Sequence, residues 1–332
     1  MALEPLNGTE RIVFGRSSVN EVGDLISRYL AAALGVEDYA VLFRAGRIDA
    51  VWAVRSVDGR GVVVRAHRPP VDLKVRAAVS SAQRALRSAG FPCPSPLAGP
   101  DVFEGVVLTA ETLMERGGRG DGREPRIRLA IVGGLVEHMR ILRGVPGLTS
   151  LALPGPAWCR YQAGPWPVPH DTIFDFEVTP PGFEWLDDLA LAAADRLNGQ
   201  DPGREVVVGH ADWYCGNLRF ENSRLVAAFD WDLLADTEPV IVGMTAASYA
   251  DSGESGAGLS SPADVVAFMH DYEVVGGRRF DSSEQSIAAA AASWVLAYNA
   301  RCQLSLIPGL PPVGSILDLL LARGQEYLGL RW

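Results

Sequence analysis

Four polar residues at the ends of two apolar runs carry the chemistry open to this sequence. His210, Asp212 and Asn217 follow the run Val206, Val207, Val208, and Asp230 follows the short apolar run of residues 225–229. Each run is rich in aliphatic and β-branched side chains and reads as a buried strand, so the polar residues come where a strand emerges. Turn-prone residues at 221–224 predict a chain reversal that brings the strand ends together, so that Asp212, Asn217 and Asp230 share one mouth. Phosphoryl transfer needs such a trio. One carboxylate orients an acceptor hydroxyl and receives its proton, while an amide oxygen and a second carboxylate hold magnesium against nucleotide phosphates. The competing reading is that Asp and Asn at strand ends only cap turns. His210 is expected to brace the loop through backbone bonds. Asp232 either approaches a metal or orders the loop, and Asp236 reads as a cap or brace.

His, then Asp two residues on, then Asn five beyond is the spacing of the protein kinase catalytic loop. The stretches VVGHADWYCGNLRF and LVAAFDWD resemble the His-Gly-Asp-Leu-His-x-x-Asn loop and Ile-Asp-Trp metal segment of the aminoglycoside phosphotransferase and choline kinase-like family. The resemblance implies an α+β, protein kinase-like, two-lobed fold. A small antiparallel-sheet lobe would occupy residues 1–113, an interlobe linker 114–117, and a larger, mainly helical, catalytic and acceptor-binding lobe 118–332. It implies Asp212 as the catalytic Asp, Asn217 and Asp230 as Mg2+ ligands, ATP as donor and a small-molecule hydroxyl as acceptor, such as an aminoglycoside, amino sugar or amino alcohol. Ala211 stands where the family has Gly, Trp213 where it has Leu and Tyr214 where it has His, which marks a divergent branch. A kinase-like binding or regulatory protein without turnover, and a nucleotidyl transferase on the same scaffold, remain alternatives.

The cation for the nucleotide phosphates is less conventional. In a kinase-like lobe it is a Lys on the third strand, but the one lysine of this chain, Lys74, lies beyond Pro69 and Pro70. Residues 39–43, 50–56 and 61–66 read as three successive strands, and Arg65 is the cation on the third. Strand alternation puts Val62 and Val64 on one face and Val63 and Arg65 on the other. A guanidinium can bond phosphate with two parallel donors. Between the first two strands, Gly46, Asp49 and Trp52 match the spacing of the family's Gly-x-x-Asn/Ser-x-x-Tyr/Trp turn. An anionic Asp49 beside phosphates is awkward unless it faces away or caps the turn. The predicted helix at 71–88 has no acid after Asp72, so the carboxylate that normally steadies the third-strand cation is missing from its middle. Backbone groups around Met114, Glu115 and Arg116 are expected to bind adenine.

Composition limits the class. The 332-residue chain is 48% hydrophobic, enough for a large core in two lobes. It has no apolar run of about twenty residues and no export signal at its start. Its four cysteines are scattered, which suits free thiols in a cytoplasm. Cys215 is expected to be a small packed side chain and not a nucleophile. A formal net charge of −10 without basic clusters argues against nucleic acid as a partner, and without a long apolar run no membrane partner is expected; oligomeric state has no signature.

The remaining elements follow from caps and periodicity. Ser18 and Glu21 have capping-box spacing before a helix that Gly35 ends. Residues 106–114 read as a strand, and helices are predicted at 125–143, 185–197, 281–303 and 314–328, with another starting at Ser261-Pro262. The aromatic, Pro-rich stretch 154–184 is expected near the active cleft, with Asp175 and Glu177 nearest the acceptor. The polar stretch 253–261 reads as a rim, and the resemblance implies that Asp251, Glu254, Asp271 and Glu273 belong to the region that closes over the acceptor, where they would recognise a cation.

Overall fold

The computed structural model describes residues 4–168, 170, 173–251, 260–306 and 315–332. Glu254, most of the expected rim and the first residue of the expected terminal helix lie outside the described residues. The chain divides into two compact units, Met1–Glu115 and Arg116–Trp332.

The first unit is a five-stranded antiparallel sheet with three helices. The strands are β1 (Tyr39–Ala45), β2 (Ala50–Ser56), β3 (Gly61–His67), β4 (Pro96–Phe103) and β5 (Val106–Thr112), in the order β1-β2-β3-β5-β4. Helices α1 (Gly8–Phe14) and α2 (Val19–Leu34) precede the sheet, and α3 (Leu73–Ser88) joins β3 to β4. The Ser18 and Glu21 capping box starts α2, and Gly35 ends it in the left-handed region at φ 64°. Leu25, Ile26 and Leu30 of α2 pack in one core cluster with Trp52, Val54, Val62, Val64 and Leu108 from the sheet. That arrangement buries Val62 and Val64 and leaves Val63 and Arg65 on the more accessible face, as alternation predicts.

Two elements here were not legible. Strand β4 contains Pro96 and Pro100, which argue against a strand interior; it survives because it is an edge strand whose ladder is broken between Pro96 and Ala98 and again between Ala98 and Asp101. Helix α1 is seven residues long, too short for periodicity to show. Its usable signal was the Asn7 and Glu10 capping box.

The second unit is mainly helical, with α4 (Pro125–Arg143), α5 (Glu184–Asn198), α6 (Glu238–Ser248), α7 (Pro262–Gly276), α8 (Ser282–Leu306) and α9 (Ile316–Leu328). Between α5 and α6 lie β6 (Val206–His210), β7 (Leu218–Glu221), β8 (Arg224–Ala228) and β9 (Leu233–Thr237). Ala288 to Ala292 of α8 are fully buried, and their small side chains let α6 come close. A Cβ on Gly243 of α6 would stand 2.3 Å from the Ala288 carbonyl oxygen. Among the described residues no helix is long and apolar enough to cross a membrane.

The reversal expected at 221–224 is present as a tight hairpin. Asn222 and Ser223 both take left-handed φ values, 49° and 59°. It joins β7 to β8, however, while β6 pairs with β9. The two apolar runs are therefore in separate ribbons, and other bonds draw their ends together.

Candidate active site

Helix α4 is the platform for the loop after β6. His138, fully buried on α4, donates from Nδ1 to the Gly134 carbonyl at 2.9 Å, and its Nε2 accepts the backbone N–H of His210 at 3.2 Å. Burial first, and then the neighbouring His210, push the His138 pKa down to about 3, so the ring is neutral and its Nε2 stays an acceptor. His210 accepts the Asp212 N–H on Nδ1 at 3.0 Å and donates from Nε2 to the Phe229 carbonyl at 3.3 Å. Its imidazole thus ties the residue before Asp230 to Asp212, the bracing role expected. Indole rings close the cluster. Trp213 and Trp231 each lie 4.6 Å, centroid to centroid, from one of the imidazoles, and Trp213 Nε1 donates to Ile131 O at 2.9 Å.

Backbone bonds bring the mouths of the two ribbons together. Ala211 N donates to Asp232 O at 2.9 Å, and Phe229 N donates to Asn217 O at 3.1 Å. Asn217, buried, donates from Nδ2 to both the main-chain oxygen of Asp212 at 3.0 Å and its carboxylate Oδ2 at 2.9 Å. With the amide nitrogen spent on Asp212, Oδ1 is the atom of Asn217 left to serve a cation. Asp230 holds the left-handed region at φ 63°, uncommon for a residue with a Cβ. The carboxyl of Asp212 is pushed up to about 7. Burial is the main cause and the nearby Asp230 the next, the Asn217 bond opposes them, and Asp232 and Asp251 add to the rise.

This arrangement fits a hard divalent cation. Among the described residues no cluster of three or more His, Cys, Asp or Glu side chains could hold a metal unaided. Mg2+ is commonly held by one or two side-chain oxygens plus substrate phosphates and water, and Asn217 Oδ1 with the Asp230 carboxylate supplies such a pair. Burial first, and then repulsion from Asp230, favour the protonated form of Asp212, and a cation beside these carboxylates would offset both.

The other acids divide. Asp251 is anchored at the loop, where its carbonyl accepts Gly216 N at 3.2 Å. Asp271 instead pairs with Arg128 at 2.7 Å, and Glu273 accepts Phe280 N and Trp332 Nε1, each at 2.9 Å. Asp175 caps the N–H of Glu177, and its carbonyl meets Arg301 and Ser305 of α8, each at 3.4 Å. Asp236 is the brace expected, accepting Tyr161 Oη at 2.9 Å and its neighbour's N–H at 2.7 Å. The stretch 154–184 reaches the loop through a residue not singled out, Trp158, whose Nε1 donates to Ala211 O at 3.3 Å. The Cys215 thiol is buried and pushed up to about 12, chiefly by that burial, as a packed side chain requires.

In the first unit Arg65 sits opposite Val51 on β2 and Thr109 on β5. Its Nη1 lies 4.0 Å from the Asp49 carboxylate. Asp49 does face away from the tip of its turn. Oδ2 accepts His67 Nδ1 at 2.8 Å and Oδ1 accepts Arg68 N at 2.9 Å. Gly46, at φ 113°, closes that turn so tightly that a Cβ would stand 2.0 Å from the Asp49 carbonyl oxygen. Of the residues expected at the linker, Glu115 pairs with Arg55 inside the first unit, Arg116 pairs with Glu221 at 2.6 Å inside the second, and Met114 is half-buried.

A family model, described as phosphotransferase enzyme family, matches residues 40–241, a span that contains Arg65, the hairpin and every residue of the loop. Similar solved structures extend the likeness over nearly the whole chain. An amicoumacin kinase, hAmiN, solved with AMP-PNP, Ca2+ and Ami, aligns over 93% of this chain and 95% of its own, with TM-score 0.63 and 12% identity. An ethanolamine kinase of Plasmodium vivax aligns over 99% and 95% at TM-score 0.56 and 10% identity. The aminoglycoside phosphotransferase APH(4)-Ia aligns over 92% and 98% at TM-score 0.55 and 14% identity. No curated protein sequence matches the chain. The fold is protein kinase-like, a sheet-based N-terminal unit followed by a mainly helical one. The chain belongs to the phosphotransferase enzyme family.

Proposed function

We propose that the protein is an ATP-dependent O-phosphotransferase that moves the γ-phosphate of ATP to a hydroxyl of a small molecule. The observation that carries this is the bond from Asn217 Nδ2 to the carboxylate of Asp212, whose proton is held to about pH 7. A base poised near neutrality and fixed by an amide is suited to orient an alcohol and take its proton as the oxygen attacks phosphorus. His210 and His138 hold the backbone on which that carboxylate stands. Asn217 Oδ1 and Asp230 would hold Mg2+, which when bound neutralises charge on the phosphates. Arg65 is assigned to phosphate positioning, and the backbone at Met114, Glu115 and Arg116 to adenine. ADP leaves with the former β-phosphate as its terminal group, and the acceptor leaves as a phosphate ester.

Amicoumacin kinase, ethanolamine kinase and APH(4)-Ia suggest an acceptor among amine-bearing antibiotics and amino alcohols. Asp251 beside the loop supplies an anionic partner for such an amine. The test is a screen of aminoglycosides, amino sugars, amino alcohols and neutral sugars with γ-labelled ATP, run beside Asp212→Asn. Label on an acceptor hydroxyl with wild-type protein, lost in the variant, is expected. Label from the α-phosphate on product would select a nucleotidyl transferase, and ATP binding without transfer to any acceptor would select a binding protein.

A further inference from the structure

We infer that Asp49 is the positioning residue of the phosphate cation Arg65, taking over from the sheet the task that a helix carboxylate performs in kinases. The inference rests on the phosphate role proposed for Arg65.

Helix α3 has no acid after its N-cap Asp72, so it offers Arg65 no carboxylate from its middle. Its buried polar residues there are Ser80 and Gln83, both uncharged, and Gln83 Nε2 donates to Glu111 Oε2 on β5 at 2.8 Å. That amide is neutral and is already bonded to a sheet carboxylate. The sheet supplies another. Asp49 immediately precedes β2, and the pairing of Ala50 with Ala66 and Val51 with Arg65 sets it beside the end of β3. From there its carboxylate stands 4.0 Å from Arg65 Nη1.

Asp49 is also fixed as a positioning group must be. His67 Nδ1 and the Arg68 N–H each hold one of its oxygens, and the far nitrogen of His67, Nε2, is 3.0 Å from Thr109 Oγ1. Thr109 is the residue directly across the ladder from Arg65. A chain of side chains thus runs from β5 through β3 to the start of β2 and ends on the cation. Burial alone would raise the Asp49 pKa, but the His67 bond, Arg65 and Arg76 outweigh it and hold the carboxyl well below the usual range. Asp49 is therefore anionic at neutral pH. Burial outweighs the Asp49 bond and lowers the pKa of His67, and the ring donates from Nδ1 to Asp49. Its side chain is 4% exposed, against 14% for Asp49 and 20% for Arg65. The cluster is most open at the guanidinium, the end that phosphate would meet.

A turn brace and a positioning residue differ in whether they act through Arg65. Asp49→Asn keeps an oxygen for the Arg68 N–H and removes the charge. The four proteins of the cycle are wild type, Asp49→Asn, Arg65→Gln and the double variant, read by their dissociation constants for Mg·ATP. Asp49→Asn should weaken binding about tenfold when Arg65 is present and by less than about twofold when it is Gln. Equal weakening in both backgrounds would make Asp49 a turn brace. Tighter binding of Asp49→Asn would make it a counter-charge that competes with phosphate. Either result overturns the inference. If wild type binds no ATP the kinase reading fails, and the same cycle is read by urea unfolding of nucleotide-free protein. Non-additive losses then support the pairing, and additive ones overturn it.

Discussion

Asp49 and Asp212 are both carboxylates withdrawn from bulk water, and burial pushes both toward the protonated form, yet they end on opposite sides of the usual range. Around Asp49 stand an imidazole donor, a backbone N–H and two guanidinium charges, which together overcome burial. Around Asp212 stand Asp230, Asp232 and Asp251, and a single amide donor opposes them. One region of the chain has satisfied its charge internally. The other stores repulsion that only something added can relieve. Burial and like charge together are costly to a fold, and perturbed carboxylates cluster at functional sites, so the contrast matches the supporting role proposed for Asp49 and the acting role proposed for Asp212.

The strongest way to break the contrast is to remove charge from the repelling cluster. Asp230→Asn takes away the charge of the carboxylate proposed for the metal, and Asp212→Asn takes away the proposed base. Each should lower acceptor phosphorylation by about a thousandfold in a labelled-ATP assay. Turnover within about tenfold of wild type in either variant would contradict the roles given to them.

The same repulsion predicts a gain in stability. An unfolded Asp loses its proton near 3.8, whereas folded Asp212 keeps its proton up to about 7. Between these values the folded state binds the extra proton, so stability from this group is fully present below about pH 4, falls as pH rises through about 7, and stays low above. Asp212→Asn should therefore be more stable than wild type at pH 8, by on the order of 2 kcal/mol, with the gap shrinking toward pH 4. Urea unfolding at the two pH values measures it.

What was legible beforehand follows the same division. Spacing, two strand ends and an expected reversal between them together marked Asp212, Asn217 and Asp230 as one group, because polar residues at strand ends are a local signal. The strands of the first unit were readable through β3, since Val62, Val64 and Arg65 alternate cleanly, whereas β4 was hidden by Pro96 and Pro100. Pairing partners were not readable. Nothing local says that β6 meets β9 and not β8, because the register depends on residues far along the chain. Long-range side-chain bonds were hidden for the same reason. His138 looked like any helix residue until its bond to His210 N, seventy-two positions away, was seen, and Trp158 until its bond to Ala211 O. Asp49 could be flagged as wrong for a phosphate turn, but its partners on β3 could not be named.

The supporting region gives a smaller effect. Arg65→Ala should raise the KM for ATP about tenfold and lower turnover, while Arg65→Lys, which keeps the charge but loses the two-donor fork, should fall between. Steady-state kinetics in ATP decide it. Unchanged constants in the Ala variant would transfer the phosphate role to another cation and leave the pair with Asp49 a structural one.

The smallest effect is expected at a residue that lies inside the loop and outside both charge clusters. Cys215 stands between Tyr214 and Gly216, two residues before Asn217, and is the thiol inside the loop itself, where a covalent thiophosphate would have to form if transfer went through one. Its environment opposes that. The side chain is 1% exposed and its pKa is pushed up to about 12 by burial, with Asp121 and Asp251 contributing. A thiolate at neutral pH is thus rare by orders of magnitude. The sulfur has a packing task instead, since a Cβ on Gly122 would meet it at 3.1 Å. Cys215→Ala removes one buried atom and should cost about 1 kcal/mol of stability while leaving kcat and KM within about twofold. Loss of turnover without loss of fold, followed by melting and by the assay in parallel, would mean that the loop holds a nucleophile and that direct attack by the acceptor is the wrong mechanism.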